Sequence, residues 1–317
     1  MTTDANQRVE PSIFLVVCTR NRREHLFNLF QSLKQCEPKP DLTILVDSSD
    51  IRLSSSEVAT LAREISTPVR YLTSGPGLPF QRNIAIDFIE QEVSAPNFVA
   101  FLDDDVEVPA DYFSVGTAIL EAHSELVGVG AFDLNFFGTP NNLIRRLLML
   151  STSRTSGQLL RSGIATIRPP ESAIELTTWM PGHSVVFRWE PLRETRFDDT
   201  VRMYGEDVEM QLRALNRGKL AMSKNFWVRH FPSSLNRDQL RAINAYSDGF
   251  RWKLALTHPE RVSRTAVVLT TLTLYAGELA RAIIRLDKSA LSGAQGHLDF
   301  LKRLVRGVET QQLRQTQ

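Results

Sequence analysis

The sequence predicts an α/β protein built on a doubly wound, mainly parallel, Rossmann-like sheet with a C-terminal helical appendage. Short β-branched runs alternate with helix-period segments through the first half, the pattern of successive βαβ units. One strongly apolar stretch, Asn97-Phe98-Val99-Ala100-Phe101-Leu102, ends in three consecutive aspartates, as a buried strand does when it surfaces at the ligand-binding edge of such a sheet. Beyond about residue 236 the chain turns helical.

Each element has its own signal. Ile13 to Cys18 and Leu42 to Val46 read as the first two strands. Between them Leu26, Leu29, Phe30 and Leu33 recur at helical spacing. Ser54-Ser55-Ser56-Glu57 reads as a capping box opening a second helix, with Val58, Leu61, Ala62 and Ile65 on one face. Val69 to Thr73 reads as the third strand and Gly75-Pro76-Gly77-Leu78-Pro79 as a loop. A helix through Ile84, Phe88 and Ile89 then leads to the strand that feeds the aspartates. No internal repeat is evident.

Composition narrows the classes. Lys+Arg 37 against Asp+Glu 36 in 317 residues leaves no global charge to attract nucleic acid, which is not an expected partner. Cys18 and Cys36 lack metal-ligand spacing, and so few thiols favour a reducing compartment. Met1 to Glu10 is polar, without the apolar region of a signal peptide, so a cytoplasmic location is expected.

The chemistry gathers in the loops at the carboxyl ends of the strands. Asp103, Asp104 and Asp105 repel one another unless a cation joins them. Mg²⁺ and similar hard ions bind through a few carboxylates plus substrate phosphates, which makes a phosphate-bearing ligand the expected partner. A solvated acidic loop is the plain alternative. The first strand leaves through Thr19-Arg20-Asn21-Arg22-Arg23 and the second through Asp47-Ser48-Ser49-Asp50. A loop arginine offers forked donors to a diphosphate, and an aspartate accepts from a base imide or a ribose. Solvated arginines and a helix-capping aspartate account for the same residues singly.

TRNR after the first strand, VDSSD after the second, Gln81-Arg82-Asn83, LDDDV at 102–106 and Gly205-Glu206-Asp207 together resemble the family 2 glycosyltransferases of the GT-A fold, over about residues 11–235. The resemblance implies that Thr19, Arg20, Asn21 and Asp47 lie at the nucleotide, Arg82 near the diphosphate, Asp103 or Asp104 at the ribose, and Asp105 on the metal. The second loop departs from the usual VDDGSTD type, which weakens the base assignment more than the metal one.

The second half completes the constellation. Thr178-Trp179-Met180-Pro181-Gly182-His183-Ser184 resembles the family segment on the acceptor side of the donor pocket, where Gly182 allows a ligand to approach the backbone; a Pro-Gly turn explains the glycine equally well. Glu206 and Asp207 open a helix, where its dipole alone favours acids. The resemblance makes Asp207 the base and Glu206 the second candidate. His230 matches a metal ligand of some family members, and an imidazole beside carboxylates suits Mn²⁺ somewhat better than Mg²⁺. Residues 132–170 are the least family-like part and read as a variable acceptor region. Within it Leu143 to Leu150 mixes apolar residues with Arg145 and Arg146, as either an interfacial segment or a buried helix does. In the appendage, residues 236–317, the uninterrupted apolar stretch near 266–276 reads as too short to span a membrane. Packing on the catalytic domain and peripheral contact with an anionic inner membrane face both remain open.

The expected function is a Mn²⁺- or Mg²⁺-dependent inverting transfer of a sugar from a nucleotide diphosphate, a UDP-sugar first and dTDP-rhamnose next, to a hydroxyl of a glycan or lipid-linked oligosaccharide in polysaccharide or cell-envelope synthesis. The alternatives are a sugar-phosphate nucleotidyltransferase, which would carry a glycine-rich loop where CTRNRRE has none, and a silent nucleotide-sugar-binding protein.

Overall fold

The computed structural model describes residues 12–92, 95–151, 156–201, 204–232 and 239–307. The polar N-terminal segment and the 235/236 boundary lie outside the described residues. The first half runs β1 (Ile13–Thr19), α1 (Arg23–Leu33), β2 (Leu42–Asp47), α2 (Ser55–Ile65), β3 (Val69–Thr73), α3 (Leu78–Glu92) and β4 (Phe98–Asp103). β5 (Val106–Glu107), α4 (Tyr112–Ala122), β6 (Leu126–Asp133), α5 (Leu143–Leu147), β7 (Gln158–Leu159), β8 (Ala165–Thr166) and β9 (Glu175–Thr177) follow. The remainder is β10 (Ser184–Arg188), α6 (Trp189–Thr195), α7 (Glu206–Ala214), β11 (Lys219–His230), α8 (Leu240–Thr257), α9 (Arg264–Arg285) and α10 (Lys288–Val305).

β1 shows why the chain forms three layers. Every one of its residues is buried, and successive side chains enter opposite cores. Ile13, Leu15 and Val17 meet α1, α2 and α4, whereas Phe14, Val16 and Cys18 meet α3, α6 and α7. The main sheet has nine strands in the order β3-β2-β1-β4-β10-β6-β11-β5, with β9 also on β11. Its first four strands pair in parallel, as the βαβ pattern predicts. β10 enters antiparallel between β4 and β6, and β6 and β11 are again parallel. No hairpin turn announces that insertion, so the apolar run at 185–187 carries no sign of its direction.

Local chemistry fixes the elements that hold the site. α1 buries the predicted Leu26, Leu29, Phe30 and Leu33. The capping box of α2 is complete, with the Glu57 amide donating to Ser54 Oγ at 3.3 Å and the Ser54 amide to Glu57 Oε2 at 2.8 Å. A cap of this kind contributes about 1 kcal/mol. α3 begins earlier than expected. Leu78 and Pro79, read as loop, form its first turn, where a proline sacrifices no intrahelical bond. β11 carries His230 to the sheet edge beside the acidic triplet, because His230 pairs with Val106 and the Phe231 amide donates to the Asp105 carbonyl at 2.9 Å.

The C-terminal helices pack on this core. Val208 and Leu212 on the outer face of α7 meet Leu254, Ala255 and Val267 of α8 and α9. A buried polar cluster ties the three helices together: Asp248 pairs with Arg251 and accepts from His297 Nδ1 at 2.7 Å, and Arg251 Nη2 reaches Thr271 Oγ1 at 3.0 Å. α9 runs longer than the expected apolar stretch, through Glu278 and Arg281, which pair with each other. By length and composition it is long and apolar enough to cross a membrane, and little of it is buried. α5 is exposed at Leu143, Ile144 and Leu147, which removes the buried-helix reading of that segment.

Candidate active site

The carboxyl edge of the sheet brings the acidic triplet, the 182–184 turn, the start of α7 and the end of β11 together. Asp103 ends β4, and its amide donates to the His183 carbonyl at 2.9 Å. Asp103, Asp105 and His230 each offer a ligand atom within 4.8 Å of the others, and so do Asp133, His183 and His230. Two carboxylates and an imidazole form a donor set that fits Mn²⁺ or Mg²⁺. His230 Nε2 lies 3.1 Å from Asp105 Oδ1, and its ring stacks on His183 at 4.5 Å between centroids.

The triplet is electrostatically divided. Burial pushes Asp104 up to about 6, although Thr19 Oγ1 donates to it at 2.7 Å and Arg22 lies beside it. Burial acts the same way on Asp105, but the His230 hydrogen bond and the charges of His230 and Arg22 outweigh it and hold that carboxyl below its ordinary value. Burial drives His183 down to about 3, so its ring is neutral, and Ser184 Oγ lies 2.8 Å from its Nδ1.

Arg82 occupies the centre. It is 2% exposed, and Nη2 donates to Asp103 Oδ1 at 3.1 Å and to the Gly182 carbonyl at 3.0 Å. Nη1 reaches Glu206 Oε1 at 3.3 Å, and the guanidinium lies over the Phe101 and Phe197 rings. The residue expected near a diphosphate is thus a buried strut between the triplet and α7. Asp207 is held by two amides, Gly182 N to Oδ2 at 3.0 Å and Val208 N to Oδ1 at 2.8 Å. Burial and the Asp207 charge push Glu206 up to about 7, and burial raises Asp207 as well. What approaches Gly182 in this structure is protein: a Cβ there would lie 2.8 Å from Asp207 Cβ and 3.3 Å from Arg82 Nη1.

The nucleotide-side residues divide. Asp47 is fully buried and turned inward, where its carboxylate accepts from the Ser49 amide at 2.7 Å and Tyr71 Oη at 2.7 Å. It organises the second loop, where the Leu53 amide also donates to it at 3.3 Å. Asn21 takes a left-handed φ of 57° and exchanges bonds with the Asp50 amide at 2.9 Å and Asp50 Oδ2 at 2.8 Å, which clamps the two loops together. Arg20 points outward and is exposed. Gln81 Nε2 bridges the Thr19 and Val46 carbonyls at 3.1 and 2.9 Å.

Two cavities flank the triplet. One of about 380 Å³ is lined by Thr19, Asn21, Arg22, Arg23, Ser49, Asp50 and Leu53. The other, about 860 Å³, is lined by Asp103, Asp105, Gly182, Glu206, Asp207 and His230 on one side. Gly163, Ile164, Trp179, Tyr204, Phe250 and Leu274 also line it. The expected acceptor region at 132–170 therefore contributes to the wall, and so do α8 and α9. The sequence names Arg22 only as one of the arginines of the first-strand loop, and Asp133, Tyr204 and Phe250 were not singled out. Asp133 had the signal, an apolar strand closing on aspartate as β4 does. The aromatics had none, because only the folding back of α8 places Phe250 there.

No protein-family model matches this chain, and no curated protein does either. Among solved structures it is similar to GalNAc-T7 crystallised with UDP, GalNAc and Mn²⁺, at 14% identity and a TM-score of 0.54 over 86% of this chain. This chain spans 58% of the length of that one. It is also similar to S. aureus TarS 1-349, at 13% identity and a TM-score of 0.48, covering 93% of this chain and 92% of that one. The first likeness, with the sheet order and the C-terminal helices, identifies the architecture as a GT-A type α/β fold carrying a helical appendage.

Proposed function

We propose that this chain is a metal-dependent, inverting glycosyltransferase of the family 2 kind, taking a UDP-sugar, or failing that dTDP-rhamnose, to a hydroxyl of a glycan or lipid-linked oligosaccharide. The observation that carries this reading is the convergence of Asp103, Asp105 and His230 with Glu206 and Asp207 on one cavity of about 860 Å³. The GalNAc-T7 structure, of the same fold, holds UDP, GalNAc and Mn²⁺. Asp105 and His230, with Asp103, are the residues to hold the cation, whose role is to offset the charge that builds on a departing diphosphate.

The chain's own groups account for the rest. The smaller cavity receives the nucleoside, between Thr19 and the Ser49-Asp50 loop. Asp207, fixed by the Gly182 and Val208 amides, presents a carboxylate to the larger cavity as the base for the acceptor hydroxyl. Arg82 keeps α7 in register with the triplet. A single displacement with one base inverts the anomeric centre, by the logic that separates inverting from retaining glycosidases. Trp179, Tyr204 and Phe250 give the acceptor an aromatic wall. A cytoplasmic enzyme with the exposed end of α9 resting on the inner membrane face, serving polysaccharide or cell-envelope synthesis, fits this acceptor class.

The test is release of free nucleoside diphosphate from a panel of nucleotide sugars with Mn²⁺, with and without saccharide acceptors. Acceptor-dependent release supports transfer. Pyrophosphate formation from a sugar phosphate and a nucleoside triphosphate favours the nucleotidyltransferase instead, and no turnover with tight nucleotide binding favours the silent binder.

A further inference from the structure

Arg22 stands where a cation belongs. Its Nη1 lies 2.7 Å from Asp105 Oδ2 and 3.2 Å from Asp104 Oδ1. His230 takes the other Asp105 oxygen, Oδ1, at 3.1 Å. Both oxygens of the aspartate most favourably placed for metal are therefore engaged, one of them by a fixed positive charge. The two carboxylates are buried, whereas the Arg22 side chain is 39% exposed, so the mobile partner is the arginine.

The backbone is built to aim this side chain. Asn21 is clamped in its left-handed conformation by Ser49 and Asp50, and Arg22 follows it at the start of α1. Arg22 also lines both cavities, at the boundary between the one bounded by Thr19 and Ser49 and the one bounded by Asp105 and Asp207. A donor with its nucleoside in the first and its sugar in the second has its diphosphate at that boundary.

We propose that Arg22 is an exchangeable counter-ion: it neutralises Asp104 and Asp105 in the free protein, yields Asp105 to the divalent cation, and turns its fork onto the donor diphosphate. The inference rests on the glycosyltransferase reading for the identity of the anion. It differs from an ordinary phosphate-binding arginine in coupling two affinities with opposite signs. Arg22 competes with the cation and cooperates with the nucleotide.

The experiment uses the full chain, titrated with Mn²⁺ alone and monitored by the loss of the free-ion electron paramagnetic resonance signal. UDP, dTDP and GDP are then titrated at saturating Mn²⁺. Arg22→Ala is expected to bind Mn²⁺ about tenfold more tightly than wild type, because a charged hydrogen bond no longer has to be displaced. The same variant is expected to bind the nucleoside diphosphate about tenfold more weakly. Arg22→Lys, which keeps the charge without the fork, is expected between the two. Generic structural damage weakens both affinities, so tighter Mn²⁺ binding is the distinguishing result. Wild-type binding with Mn²⁺ affinity unchanged or lowered in Arg22→Ala overturns this inference alone, as does tighter Mn²⁺ binding without loss of nucleotide affinity. A wild-type chain that takes up neither Mn²⁺ nor any of the nucleotides overturns the donor-site reading and this inference with it.

Discussion

Glu206 and Asp207 sit side by side at the start of α7, the first buried and the second partly exposed, and they are held by different partners. Asp207 is oriented by two amides and Glu206 is tied to Arg82. Asp207→Asn keeps the size but not the basicity, and transfer is expected to fall on the order of 100- to 10,000-fold with nucleotide and Mn²⁺ affinities nearly unchanged. Glu206→Gln is expected to be milder. The pair also sets the pH dependence. Because burial and the Asp207 charge lift Glu206 from 4.5 to about 7, the fold binds this proton more tightly than the unfolded chain does. Its contribution to stability is full below the ordinary glutamate value and is lost as pH rises to about 7. Burial raises Asp207 as well, so the acid limb of the pH–rate profile is expected above the ordinary aspartate value, and Glu206→Gln, by removing the neighbouring titrating carboxyl, should move it. A limb that stays put in the variant would show that the two carboxyls titrate independently. Residue identities were the most legible part of the site, because carboxylates at strand and helix ends announce themselves by position. Asp47 shows the limit. Nothing in VDSSD distinguishes a carboxylate facing a ligand from one turned inward to Ser49 and Tyr71.

Among the elements, the N-terminal strands and helices were legible because buried parallel strands and amphipathic helices each leave a periodic trace. The antiparallel direction of β10 was not, since its neighbours β4 and β6 are set by the tertiary arrangement. For the C-terminal helices, packing and membrane contact are both expected readings; the structure shows packing at one end and exposed apolar residues at the other. α8 and the start of α9 pack on α7, and the far end of α9 exposes Ile283 at 74% and Ile284 at 79%, followed by Leu286 at 88%. Arg285 and Lys288 lie beside them. Removing α10 is a poor test, because Phe300, Ala294 and His297 are buried against its neighbours. Ile283→Ser, Ile284→Ser and Leu286→Ser together leave that packing alone. Association with anionic vesicles is expected to fall at least about tenfold, as each inserted side chain contributes roughly 1.5–3 kcal/mol. Nucleotide binding should be unchanged. Flotation of the triple variant equal to wild type would remove the membrane role.

At the scale of the whole molecule, the candidate metal ligands Asp103, Asp105 and His230 bring together parts of the chain that lie far apart in sequence, the end of β4 with the end of β11. Mn²⁺ at about 100 times its Kd is expected to stabilise the fold by about 2.7 kcal/mol, read as a rise in melting temperature. Asp105→Ala and His230→Ala should abolish that rise, and a rise persisting in both variants would place the ion elsewhere. The insertion of β10 has a consequence for how this molecule is made. β4 has no partner on one side, and β6 lacks its β10 neighbour, until the ribosome has delivered Ser184–Arg188. During that interval the nascent chain carries apolar strand edges able to template pairing between copies. Chains cut short between β6 and β10 should accumulate as aggregates, even though they already contain both nucleotide-side loops and all three aspartates.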